Sequence, residues 1–139
     1  MIPHHLPVHY LWCESDNAST KILTTSYVLT EGPASLDVVP YNVVTLAPVL
    51  TGTAVTSLEI LAEVSVNGTN WNPLPSKAIA PTLVTCTVGE ISLVLDASGR
   101  CPGVDLQIGA AMKLRVSCKR TGGDGTSSLL LLAVAGSLR

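Results

Sequence analysis

Thr56 to Pro75 reads TSLEILAEVSVNGTNWNPLP. Up to Val66 it alternates without a break. Leu58, Ile60, Ala62, Val64 and Val66 fall on one side of an extended chain; Ser57, Glu59, Leu61, Glu63 and Ser65 fall on the other. A period of two marks a half-buried strand, because successive side chains point to opposite faces. Asn67-Gly68 then supplies two residues that tolerate positive φ, the strongest short-range hairpin signal. The segment predicts an antiparallel hairpin with Trp71 opening the return strand. On this reading the Trp71 ring caps the core beside the turn and keeps its N–H within reach of an acceptor.

The same pattern recurs to either side. KLRVSCK (113–119) turns Leu114, Val116 and Cys118 inward and Lys113, Arg115, Ser117 and Lys119 outward, and EISLVLD (90–96) alternates through Ile91, Leu93 and Leu95. Further strands are expected at 22–29, 35–39, 42–49, 71–74 and 82–88, punctuated by Gly and Pro at short intervals. SSLLLLAVAG (127–136) is apolar on both faces, as in a strand covered on both sides or lying against another subunit. TGGDG (121–125) reads as the turn of a closing hairpin. A short helical turn fits only in GVDLQIGAAMK (103–113). The expected fold is all-β: a single antiparallel β-sandwich over 21–139, jelly-roll-like, preceded by an extended N-terminal arm over 1–20 in which Pro3 and Pro7 prevent a helix.

Composition narrows the function. At 139 residues the chain can bury a core of its own. Only 13% of it is charged and 47% is hydrophobic, against about 25% charged in an average soluble domain. Surface this poor in charge is expected to be covered by neighbours, which points to a homo-oligomer or a larger assembly. A net charge of −2 argues against nucleic acid as a partner. No apolar run reaches the roughly 20 residues of a membrane-spanning helix. The N-terminus lacks the basic start of a secretory signal, so folding in the cytoplasm with reduced thiols is expected. Cys13, Cys86, Cys101 and Cys118 show no metal-knuckle spacing.

No catalytic motif emerges. Glu59 and Glu63 share a strand face, but four strand residues span roughly 13 Å, more than the separation glycosidase carboxylates use; a solvated or interfacial face is the better reading. There is no GxSxG elbow, and His4, His5 and His9 all sit in the arm. His5, His9 and Cys13 have metal-ligand chemistry, yet with Pro7 between the first two, an i, i+4 spacing on extended chain does not converge on one ion. Packing of Leu6, Val8, Tyr10 and Trp12 onto a neighbour is preferred. No cofactor, metal or catalytic residue is therefore expected. The expected contact residues are His4, His5, Leu6, Val8, Tyr10 and Trp12 of the arm with Leu129 and Leu131 of the last strand. Removing residues 1–12 is expected to abolish assembly and spare the fold.

LEILAEVSVNGTNWNPL (58–74) resembles a hairpin common in discoidin-like and viral jelly-roll domains. The run GVDLQIGAA, MKLRVSCKR, TGGDG, SSLLLLAVAG (103–136) is similar to the closing half of small tailed-phage virion proteins. Together these cover about half of the chain. The resemblance implies a head decoration or cement protein, assembled in the host cytoplasm and placed on the capsid surface. Its partners would be copies of itself, as a trimer or dimer, and the lattice of the major capsid protein. A head–tail joining or tail component is the first alternative. A carbohydrate- or receptor-binding module with Trp71 as its stacking platform is the second. Discoidin domains bind through exposed loop aromatics and usually carry disulfides, and neither trait is evident in this sequence.

Overall fold

A computed structural model describes residues 8–14, 19–29, 35–52, 54–74, 78–79, 84–86, 90–109 and 111–136. Among these the chain forms thirteen strands and no helix. They are β1 (His9–Trp12), β2 (Lys21–Ile22), β3 (Val28–Leu29), β4 (Leu36–Asp37), β5 (Val43–Thr51), β6 (Val55–Ser65), β7 (Asn72–Pro73), β8 (Ala78–Ile79), β9 (Val84–Cys86), β10 (Glu90–Val94), β11 (Val104–Gln107), β12 (Lys113–Gly122) and β13 (Ser128–Gly136). One sheet runs β1-β13-β5-β11-β8, with β2 also on β13; the other runs β3-β12-β6-β10-β9, with β4 on β12 and β7 on β6. Every pairing is antiparallel.

The winding follows from which long strands alternate between sheets. The chain passes from β5 in the first sheet to β6 in the second, and from β12 in the second to β13 in the first. Meanwhile β5 pairs with β13 and β6 with β12 along nearly their whole lengths. Two long ribbons are thus carried from one sheet to the other, giving an antiparallel β-sandwich. The Gly-rich segment after β12 is accordingly a corner between sheets. It is not the hairpin turn its sequence predicts, because Gly and Asp serve both kinds of bend equally well. The other corner, Gly52 to Ala54, interlocks with it. A Cβ on Gly52 (φ +137°) would meet Ser127 Oγ at 2.7 Å, and one on Gly122 (φ +73°) would meet the Ala54 carbonyl at 2.8 Å. The Gly123 N–H donates to that same carbonyl at 2.8 Å.

The inner faces follow the alternation. Leu58, Ile60, Ala62 and Val64 of β6 lie against the core with Leu114, Val116 and Cys118 of β12, facing Val44 and Leu46 of β5 and Leu129, Leu131 and Ala133 of β13. Val66, expected inward, lies beyond the strand end and is exposed. The chain turns at Asn67-Gly68, but as a wider loop than a tight hairpin, with Val64 opposite Asn72 and Gly68 the one of the two at positive φ. Asn67 Oδ1 accepts from the N–H groups of Thr69 and Asn70, Gly68 takes φ +79°, and β7 returns on β6. The 22–29 segment is two short strands in different sheets, because the chain crosses the sandwich between them. In 103–113 the chain makes β11 and then a turn closed by Ala111 N–H on the Ile108 carbonyl.

The described part of the first twenty residues is built into the sandwich. β1 pairs with β13, and Leu11, Trp12 and Cys13 are buried. Trp12 is only 1% exposed. Its Nε1–H donates to the Val28 carbonyl at 2.9 Å, and the Lys21 ammonium lies 5.6 Å from its ring centre. Trp12 therefore holds the core position expected for Trp71. Deleting residues 1–12 would remove part of the core, so the expectation that the fold survives this truncation does not hold.

Candidate interaction surfaces

The sandwich presents two broad outer faces of opposite chemistry. On the β12–β6 sheet, the register places Lys119 opposite Glu59 and Glu59 opposite Ser92. The Lys119 ammonium sits 4.5 Å from the ring centre of Tyr27, which precedes β3. Glu59, expected on a solvated or interfacial face, is only 6% exposed. Its carboxylate accepts from Ser57 Oγ (2.6 Å), Ser92 Oγ (3.0 Å) and Thr121 Oγ1 (2.5 Å). Three hydroxyls from three strands take the place of water, which lets a carboxylate stay buried on a sheet face. Four residues along, Glu63 holds Arg115 at 3.0 Å, and the Arg115 guanidinium stacks 4.4 Å above the Trp71 ring. Lys113 pairs with Asp37 at 3.4 Å.

Both carboxylates of this strand are thus committed to structural partners, Glu59 to hydroxyls and Glu63 to a guanidinium. Trp71 is half-buried with one ring face under Arg115, so the flat platform a sugar would need is taken by a side chain of the same protein. Burial, then the nearby Glu90 and Glu59 carboxylates, raise the Tyr27 phenol well above its ordinary value. Its oxygen is buried and makes no hydrogen bond of good geometry. Burial pushes the Cys101 thiol up to about 12, with the Glu59 charge adding to it. Cys118 is driven well above its ordinary value, chiefly by burial. Thiols held protonated in this way are poor nucleophiles and poor ligands. In the corner loop, Asp124 Oδ1 accepts from the hydroxyl and N–H of Thr126, which together lower its pKa. That carboxylate shapes its own loop.

The outer face of the β13–β5 sheet is apolar. Tyr10 pairs with Leu132, Leu132 with Ala47, and Leu130 with Val49. Tyr10 and Val49 are 42% and 45% exposed, Leu130, Leu132 and Val134 are half-buried, and Ala47 is exposed. Asp105 of β11 accepts from Thr45 Oγ1 at 2.6 Å on this sheet, and Arg100 lines a groove with Pro48, Val49 and Leu50 of β5.

Of the expected contact residues, Val8 and Tyr10 are exposed, with Tyr10 on this apolar face. Trp12, Leu129 and Leu131 point into the core, where their side chains are spent within this chain. The outward members of β13 are Leu130, Leu132 and Val134, of the opposite parity. A strand apolar on both faces carries no parity signal of its own; it is set here by pairing with β5, where Val44 and Leu46 turn inward. His4, His5 and Leu6 lie outside the described residues. Val8, His9, Tyr10, Leu11 and Cys13 line a groove of about 380 Å³ against Ser35, Leu36 and Asp37. No three metal-ligating side chains converge among the described residues.

No protein-family model matches this chain, and no curated protein matches it in sequence. Among solved structures, the SPBc2 prophage-derived protein YomS is similar over 98% of each chain, with a TM-score of 0.55 and 14% sequence identity. At that identity the likeness is one of fold, and it runs from end to end of both chains.

Proposed function

We propose that this chain is a non-enzymatic structural protein of a phage particle, acting as a capsid decoration or cement protein. The carrying observation is the asymmetry of the sandwich: a nearly uncharged apolar outer face on β13 and β5 behind a face whose charges are paired internally. Such a molecule is suited to lie on a protein lattice, burying aliphatic area and leaving a neutralised polar face outward. The end-to-end likeness to a prophage-derived protein supports the phage setting. In this role the chain works by covering joints between capsid subunits on the virion surface, after folding in the host cytoplasm, with copies of itself and the major capsid protein as partners. Cofactors, nucleic acid and membrane play no part in the proposal. The test is co-sedimentation of purified protein with heads of the phage that encodes it. Saturable binding to expanded heads is expected; binding to tails alone would favour the tail or head–tail joining reading, and no binding to either would overturn the proposal.

A further inference from the structure

We infer that Asn67 is a modification site: with Gly68 it loses its side-chain amide to water, and the folded β6–β7 loop holds that reaction back. This stands apart from the proposed virion role. The reaction needs no enzyme. The Gly68 main-chain nitrogen gives up its proton and attacks Asn67 Cγ. An N–Cγ bond forms, the Cγ–Nδ2 bond breaks, and Nδ2 takes up a proton and leaves as ammonia. Water then opens the cyclic imide, at Cγ to give an aspartate or at the Asn67 main-chain carbon to give an isoaspartate. Glycine, with no Cβ, leaves the attacking nitrogen most open, and Asn67 is the one asparagine followed by glycine. Asn17, Asn42 and Asn70 precede Ala, Val and Trp, and Asn72 precedes Pro73, which has no N–H.

Asn67 is exposed, so water reaches it. Three features restrain the attack. First, the Gly68 N–H donates to Ser65 Oγ at 2.8 Å. The attacking electron pair lies along the former N–H direction, so in the folded loop it points at the Ser65 hydroxyl instead of Cγ. Ser65 is fully buried at the end of β6, which fixes this acceptor. Second, Asn67 Oδ1 accepts from the N–H groups of Thr69 (2.9 Å) and Asn70 (2.8 Å) and from the Ser65 hydroxyl (3.2 Å), which holds the amide in place. Third, β7 closes the loop by pairing with β6, Val64 opposite Asn72. Each hydrogen bond that must open slows the attack about threefold to tenfold. The same cradle fits the aspartate product. All three groups that meet Oδ1 are donors, and a carboxylate accepts from them more strongly than an amide oxygen does. Isoaspartate adds a main-chain atom to the loop and shifts the register of β7.

The test follows the full chain at mildly alkaline pH, folded and in concentrated urea. Isoelectric focusing reads the added negative charge, and fragment-ion mass spectrometry locates it. The denatured chain is expected to gain the acidic form at Asn67 at least about tenfold faster than the folded chain. Ser65→Ala, its fold checked by circular dichroism, should speed the folded chain about threefold to tenfold. Asn67→Asp should melt no lower than wild type. Asn42 and Asn70 should keep their amides over the time in which Asn67 converts. A folded chain that converts as fast as the denatured one overturns the inference, as does a denatured chain that keeps the Asn67 amide. A folded Ser65→Ala protein that converts no faster than wild type removes the restraint assigned to Ser65, and the inference with it. If Ser65→Ala does not fold, the comparison of folded with denatured wild type decides alone.

Discussion

Trp12 and Trp71 are the only tryptophans in the chain, and the fold assigns them opposite weights. Trp12→Ala empties a fully buried site, which typically costs about 3–5 kcal/mol. It also leaves the partly buried Val28 carbonyl without its 2.9 Å donor, adding up to about 1 kcal/mol. Trp71→Ala removes a half-buried ring and a guanidinium stack, worth together about 1–2 kcal/mol. Domains of this kind hold about 5–15 kcal/mol in all, so Trp12→Ala should take a large share of the stability. At about 3–5 °C per kcal/mol for this length, its melting temperature should fall by roughly 12–30 °C, and that of Trp71→Ala by roughly 3–10 °C. Urea unfolding followed by circular dichroism measures both. Each variant also leaves a single emitter. The Trp71→Ala protein should emit at short wavelength and resist quenching by iodide, and the Trp12→Ala protein should do the reverse. Equal losses from the two substitutions, or an easily quenched Trp12, would refute the assignment of Trp12 as the core anchor.

Three further outcomes follow from the geometry. Glu59→Ala strands three hydroxyls that now donate to one buried carboxylate and should cost about 2–4 kcal/mol in urea unfolding. Glu59→Gln, which keeps an acceptor oxygen, should cost less. Gly122→Ala drives a methyl to 2.7 Å from Thr56 Oγ1 at a φ of +73° and should lower stability by about 2–3 kcal/mol, where a surface glycine such as Gly99 with open space around it loses about half as much. Cys101 and Cys118 should resist alkylation at pH 8 until the chain is unfolded, read by mass spectrometry of the labelled peptides. Because their folded pKa values are raised, the folded state holds these protons more tightly than the unfolded one. Their contribution to stability is thus complete below the ordinary thiol value of 9.0 and is lost as pH rises through the raised folded values, about 12 for Cys101.

The alternating segments were legible because they bury one face only. Ile60 and Glu59 differ so much in polarity that the period-two pattern fixes the side each takes, and Asn67-Gly68 closes a turn by its local chemistry alone. Sheet membership was not legible. Thr121 to Gly125 has the same composition whether it joins neighbours in one sheet or turns a corner between two, and only the pairing of β6 with β12 decides. The burial of Glu59 was hidden for a related reason, since two of its hydroxyl partners lie 33 and 62 positions away along the chain. Trp12 ends an every-second-residue apolar series with Leu6, Val8 and Tyr10, which suggests one shared face. A register shift between Tyr10 and Trp12 in the pairing with β13, at the far end of the sequence, turns Trp12 into the core while Tyr10 stays exposed. The apolar outer face was half visible: SLLLLAVAG announces a strand with two apolar sides, but not which leucines face out.

The most direct test of the proposed virion role is quantitative mass spectrometry of gradient-purified phage particles released from cells that carry the gene for this chain. The account predicts that this protein is present in mature heads at a copy number tied to that of the major capsid protein, and that it is shed as an intact β-protein when heads are dissociated. Particles of full infectivity and stability that contain none of it would contradict the account.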